Sequence, residues 1–259
     1  MNSFRNSYLL AILLTIYSIS TFGQGQKLQI VNKNEFDSTI SLKRNIQYLT
    51  LKYYDSSITL SGLLLKIPNK ESITYLDVDL RLYNLSTTSI GNLDQVLMQF
   101  TNLEMLCIEG CDLSLFNLNY FANCNKLTYV RFIKTKIEND SILYYIGFQN
   151  NIRYIILDEN YIKELVLKDG AYRNLREIHI ESNNLELLDF KLFTLPEIKG
   201  IYLANNNIKQ INTNYSLKDQ FNKRIDVIDL TGNHFFGKKE YCFFKSNFPY
   251  SNVYKNYQK

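Results

Sequence analysis

The feature that most restricts this chain is a hexapeptide of the form apolar-x-x-apolar-x-apolar that returns eight times. The copies are IQYLTL from Ile46, ITYLDV from Ile73, LEMLCI from Leu103, LTYVRF from Leu127, IRYIIL from Ile152, LREIHI from Leu175, IKGIYL from Ile198 and IDVIDL from Ile225. Their start-to-start steps are 27, 30, 24, 25, 23, 23 and 27 residues, a period that marks stacked repeating units. Side chains alternate across a strand, so the fourth and sixth residues of each copy share one face, and that face is apolar every time. A single coil has no partner for such a face, so neighbouring coils must stack and the two open ends must be capped. This predicts about eight short parallel strands centred on Leu49, Leu76, Leu106, Val130, Ile155, Ile178, Ile201 and Ile228, all buried.

Counting each copy's first residue as position one, position nine carries Asn160, Asn183, Asn206 and Asn233 in the last four repeats. Each is followed two residues on by an apolar residue: Ile162, Leu185, Ile208 and Phe235. Repeat three has Cys111 there and repeat four Thr135, whereas repeats one and two depart from the pattern with Tyr54 and Arg81. A buried Asn can satisfy backbone groups left unpaired where a strand turns away. The pattern resembles the leucine-rich-repeat family, whose consensus is Leu-x-x-Leu-x-Leu-x-x-Asn/Cys-x-Leu, over about residues 46 to 236. The resemblance implies an α/β solenoid: a curved right-handed coil with one parallel β-sheet on its concave face, and short helices, 3-10 turns or loops on its convex face. It also implies protein binding without catalysis, in the manner of exported, internalin-like proteins.

The flanks fit such a coil. Residues 1–23 hold one cation, Arg5, an apolar stretch from Tyr8 to Tyr17 and then small polar residues, the layout of a cleaved signal peptide. That ten-residue stretch is short against the roughly 20 needed to span a bilayer, so a secreted, periplasmic or cell-surface protein without a membrane span is expected. Residues 24–45 are expected to cap the first coil with a helix or turn, and the aromatic-rich residues 237–259 to cap the last. Without residues 1–23 the chain keeps 28 basic and 25 acidic residues, since only Arg5 is lost. Its basic doublets are isolated, unlike the stripe of a nucleic-acid groove, so no nucleic-acid partner is expected.

The residues carry no signature of chemistry. Cys107, Cys111, Cys124 and Cys242 read as structural thiols, with a Cys111 to Cys124 bridge as the weaker alternative. Two histidines, no Cys-x-x-Cys pair and no His-Glu-x-x-His run leave no metal site or cofactor expected. The nearest approach to a metal cluster is Glu177, His179 and Glu181, alternating onto one face with Asp158 one coil away. No Ser or Cys stands beside a His as a nucleophile requires, so the protein is expected not to be an enzyme.

Positions three, five and seven alternate with the core and must line the concave sheet as three rows. Row three reads Tyr48, Tyr75, Met105, Tyr129, Tyr154, Glu177, Gly200, Val227; row five reads Thr50, Asp77, Cys107, Arg131, Ile156, His179, Tyr202, Asp229. Row seven supplies an acidic edge from Asp79, Glu109, Asp158 and Glu181. Tyr, Met and Arg are enriched in protein interfaces because they offer rigid contact area with a polar handle. The candidate partner-binding residues are therefore Tyr48, Tyr75, Met105, Tyr129, Arg131, Tyr154, Asp158, His179, Glu181 and Tyr202, with the row-three tyrosines expected to be partly exposed. A protein partner is expected; the alternative is a glycan stacked on the tyrosines. Sequons at Asn84, Asn139 and Asn214 would matter only in a eukaryotic source.

Overall fold

The computed structural model describes residues 26–41, 46–52, 59–83, 90–212, 220–234 and 238–254. Expectations for residues 1–23, Tyr54, Asn84, Asn214 and Phe235 fall outside them. The strands, in chain order, are β1 (Gln26–Ile30), β2 (Ile46–Leu51), β3 (Tyr75–Asp79), β4 (Met105–Glu109), β5 (Tyr129–Ile133), β6 (Tyr154–Ile156), β7 (Glu177–His179), β8 (Leu187–Asp189), β9 (Gly200–Tyr202), β10 (Gln210–Asn212), β11 (Val227–Asp229) and β12 (Asn252–Tyr254). Ten of them form one parallel sheet in the order β1-β2-β3-β4-β5-β6-β7-β9-β11-β12, the order of a solenoid winding coil by coil. β8 and β10 pair in a second, two-stranded parallel sheet on the return path.

The register is the one the repeat dictates. Tyr48, Tyr75, Met105, Tyr129, Tyr154, Glu177, Gly200 and Val227 are successive partners across the sheet. Every residue at positions one, four and six of the eight repeats is at most 3% exposed. They form one continuous core.

The return segments carry short helices: α1 (Lys33–Ser41), α2 (Leu60–Leu65), α3 (Leu93–Leu97), α4 (Tyr120–Asn123), α5 (Ile142–Ile146) and α6 (Lys238–Asn247). In α2 the Thr59 side chain accepts the Gly62 N–H at 3.0 Å, capping the first turn, while Leu60, Leu63 and Leu64 turn inward. The coils of repeats five and six have the shortest return paths, and that of repeat six uses a 3-10 helix over Phe190–Thr194.

Two of the ten strands lie outside the eight repeats. β1 sets Leu28 beside Leu49 and Ile30 beside Leu51, and β12 sets Val253 beside Ile228. Both flanking segments thus lengthen the sheet by a strand, with α1 on the return path from β1 to β2 and α6 on that from β11 to β12. On the C-terminal side Phe244 and Phe248 are fully buried against Phe193. Phe221 stacks on Phe248 at 5.4 Å between ring centres.

Position nine forms a ladder. Asn160 Oδ1 accepts the Thr135 N–H (3.0 Å), the Thr135 hydroxyl (2.9 Å) and the Ile137 N–H (3.1 Å), and its Nδ2 donates to the carbonyls of Phe132, Leu157 and Asp158. Asn183, Asn206 and Asn233 repeat this, accepting the N–H of Ile162, Leu185 and Ile208 and donating to carbonyls of their own and the preceding coil. The ladder needs a sharp turn just before it. In coils three to eight the residue at position eight, Gly110, Lys134, Glu159, Ser182, Asn205 or Gly232, has φ between 54° and 72°. At Gly110 a side chain would also strike the Arg81 backbone, 2.7 Å from where its Cβ would stand. Coil two turns differently, through a 3-10 helix at Arg81–Tyr83, and Arg81 points out to Asp79 and Glu109. That is the physical counterpart of its departure from the consensus.

These contacts fix the expected cost of truncation. Ile178→Ala and Leu203→Ala should each lower unfolding free energy by about 2 to 5 kcal/mol in denaturant titration. Asn206→Ala should cost about 1 to 3 kcal/mol, because buried backbone groups lose their partner.

Candidate binding surface

The concave face is built from positions three, five and seven, and its two halves differ in chemistry. In the first half, Tyr48 and Tyr75 tilt against one another at 6.1 Å between ring centres, and Tyr129 and Tyr154 do the same at 6.0 Å. Met105 lies between the two pairs by register. Lys27 of β1 stands 5.6 Å from the Tyr48 ring centre, extending the row by one coil with a cation on an aromatic face. Cys107, Tyr129 and Ile156 form a small buried cluster of their own, against which Tyr75, Met105, Ile133 and Tyr154 pack. This second apolar layer lies on the outer side of the sheet, separate from the solenoid core.

Tyr48, Tyr75, Met105 and Tyr154 are half-buried, as a partly exposed row requires. Tyr129 differs from expectation: it is only 6% exposed. Register places its ring over the sheet, but Met105 and Tyr154 on either side, with Cys107 and Ile156 next to them in row five, pack around it. Burial pushes the Tyr129 and Tyr75 hydroxyls above the ordinary phenol range. It also keeps the Cys107 thiol protonated, pushed up to about 12, so that cysteine offers no thiolate. Cys111 is pushed up to about 12 by its burial as well, and all four cysteines are unbridged.

Arg131 crosses this layer. Its guanidinium pairs with Glu109 and lies 3.5 Å from Asp77. Glu109 is also held by Arg81 Nε at 2.9 Å, and Arg81 returns to Asp79 at 2.8 Å. The three acids of this half thus each pair with one or both of two arginines. Burial raises Glu109 and Asp77 above the usual carboxylate range, and the arginines oppose the rise. Asp77, Glu109 and Cys107 were legible as row members, but their burial into a network was not.

The second half is arranged otherwise. His179 and Tyr202 stack at 4.1 Å with their planes 12° apart, and His179 Nε2 lies 3.2 Å from Glu177 Oε2. The Tyr202 ring leans over Gly200, where any Cβ would meet it at 2.6 Å. Only glycine at that row-three position leaves space for the ring. Asp158, expected on an exposed acidic edge, is 1% exposed, and its Oδ1 accepts the Glu181 N–H at 2.7 Å. It braces the turn and does not face solvent. Asp229 accepts the N–H and hydroxyl of Thr231. Among the described residues no Lys or Arg pairs with Glu177, Glu181 or Asp229, and no group of three His, Cys, Asp or Glu is placed to hold a metal ion.

Glu181 is the half-buried end of this acidic set. Burial, then the charges of Asp158 and Asp229, push its carboxyl up to about 8. Its folded value thus exceeds the 4.5 of a free carboxyl, so the folded state binds this proton more tightly than the unfolded state. The resulting stabilisation is complete below about pH 4.5 and is lost as pH rises through about 8. Glu181→Gln should therefore melt at a higher temperature than the parent near pH 9, with the difference vanishing near pH 4, as thermal denaturation across pH would show.

No family model matches the sequence, and no curated protein is similar to it in sequence. Solved structures are similar in fold. A leucine-rich-repeat protein of Leptospira interrogans superposes with a TM-score of 0.58 at 14% identity, over 88% of this chain and 59% of that one. Toll of Drosophila, solved with Spatzle, gives 0.54 at 15% identity over 88% of this chain and 30% of its own. TLR13, solved with ssRNA13, gives 0.51 at 12% identity over 86% and 35%. This chain thus spans under two thirds of each of these structures. With ten parallel strands in coil order, an Asn ladder and these neighbours, the fold is that of the leucine-rich-repeat solenoids.

Proposed function

We propose that this is an exported, non-catalytic binding protein that takes a protein partner on the concave sheet, centred on the tyrosine row of coils one to five. The observation that carries this reading is the in-register row of half-buried Tyr48, Tyr75, Met105 and Tyr154 resting on its own apolar layer. A folded chain rarely leaves such a layer at its surface without a use for it. Aromatic rings held rigid by their neighbours lose little entropy on binding, which suits them as anchors. Arg131, pinned by Glu109 and Asp77, adds to that rigidity, and His179, Glu181 and Tyr202 continue the same face. Asp158 serves it indirectly, through the turn that carries Glu181. Recognition of partners by neighbours in fold, Spatzle by Toll and ssRNA13 by TLR13, is consistent with a binding role. No described helix is long and apolar enough to cross a membrane, and export rests on the signal-like residues 1–23.

The test uses the partner captured by cross-linking to the mature chain, beside a glycan array. Tyr75→Ala or Tyr154→Ala should weaken partner binding by about 2 kcal/mol or more with little loss of stability. Tyr129→Ala, being buried, should lose stability as well. Loss of glycan binding alone, with protein affinity intact, would move the reading to a sugar ligand.

A further inference from the structure

The two halves of the concave face differ in how their acids are balanced. In coils two to four, Asp77, Asp79 and Glu109 are matched by Arg81 and Arg131. In coils six to eight, Glu177, Glu181 and Asp229 have no such match among the described residues. Their rows there carry Glu177, Gly200 and Val227, then His179, Tyr202 and Asp229, then Glu181, Ala204 and Thr231, without a lysine or arginine. Arg153, Arg176 and Lys199 stand at position two, five residues and roughly 16 Å along the strand direction from position seven. Lys199 is turned away, to the Arg224 carbonyl. This concave half is acidic on a chain whose formal net charge is +4.

We propose that the partner segment on this face is bipartite, with an apolar side chain on the tyrosine row and a lysine or arginine against Glu177, Glu181, Asp229 and the Tyr202 ring. The inference rests on the concave-face reading above and adds the partner's chemistry to it. Charge complementarity selects the second element. Carboxylates that are largely buried and lack a cation gain more from an incoming ammonium or guanidinium than exposed ones do, because less water screens the pair. Tyr202 supplies an aromatic ring beside them, and cations favour such rings. Burial and the charges of Glu177, Asp229 and Glu181 raise the Tyr202 hydroxyl above its ordinary range, in keeping with a strongly negative surround.

Geometry restricts the segment further. From the half-buried Tyr154 in coil five to Tyr202 in coil seven is two strand spacings of about 4.8 Å and two residues along the strand at about 3.3 Å each, roughly 12 Å. An extended peptide covers that in about four residues at about 3.3 Å per residue. A helix covers it in about eight, at about 1.5 Å per residue. The apolar and basic residues should therefore stand about four or eight apart in the partner.

Panning a displayed library of random linear peptides against the intact mature chain, at a pH above about 8 where the Glu181 carboxyl is ionised, tests this. The selected peptides should pair an aromatic or aliphatic residue with a lysine or arginine at one of those spacings. Repeating the selection on the Glu181→Gln, Asp229→Asn double variant should abolish the basic preference, keep the apolar one, and weaken the parental peptides about tenfold or more. Asn at 229 keeps an acceptor for Thr231. Glu181→Gln alone, in which the fold loses a buried charge, serves if the double variant fails to fold. Peptides without a basic preference, or unaffected by loss of these carboxylates, would overturn the bipartite inference while leaving the tyrosine row standing. Binding indifferent to Tyr75→Ala and Tyr154→Ala, or no enrichment at all, would overturn both.

Discussion

Everything in this molecule depends on the lateral stacking of the residues at positions four and six from one coil to the next. Leu49, Leu76, Leu106, Val130, Ile155, Ile178, Ile201 and Ile228 each rest on the same position one strand away, so no coil has a core without its neighbours. That dependence forces the parallel register, since a slip by one residue would turn the whole apolar set outward. The Asn ladder holds the same register from the side by tying each turn to the preceding coil. Rows on the concave face are a by-product of this constraint: once the core positions are aligned, positions three and five must be aligned too.

The same constraint explains what could be read from the sequence. The eight repeat strands and their register follow from the apolar hexapeptides alone, and Tyr48, Tyr75, Tyr129 and Tyr154 fall in one row as the spacing dictates. β1 and β12 escape the pattern because each is only part of a repeat. β1 keeps the apolar fourth and sixth positions, Leu28 and Ile30, but has Gly25 at the first; β12 keeps Val253 but has Lys255 at the sixth. The left-handed turn at position eight was equally hidden. Gly110, Gly232 and Asn205 are of types that favour such a backbone; Lys134, Glu159 and Ser182 are held there by the ladder.

Exposure was harder to read than direction. Register says which way a side chain leaves the strand, but strands about 4.8 Å apart leave little room between large rings. Tyr129 is covered for that reason by neighbours that also point outward. Asp158 and Glu109 show the electrostatic version of the effect. Both leave the sheet at position seven, yet Asp158 is drawn onto the Glu181 backbone and Glu109 between two arginines.

The charge of the surface is therefore settled coil by coil, by what stands at position five. Arg131 in coil four gives the carboxylates of coils two and three a partner within reach, and that half of the face becomes a rigid, nearly neutral plate of rings. His179 and Tyr202 occupy the same row in coils six and seven and stack on each other. Among the described residues, the charges that act on the carboxyl of Glu181 are those of Asp158 and Asp229, and both raise its proton affinity. A single substitution pattern along one row thus divides a uniform sheet into a plate that offers contact area and a rim that offers charge. Such a division suits recognition of one oriented segment better than adhesion to a featureless surface, because only one end of a ligand is complementary to each half.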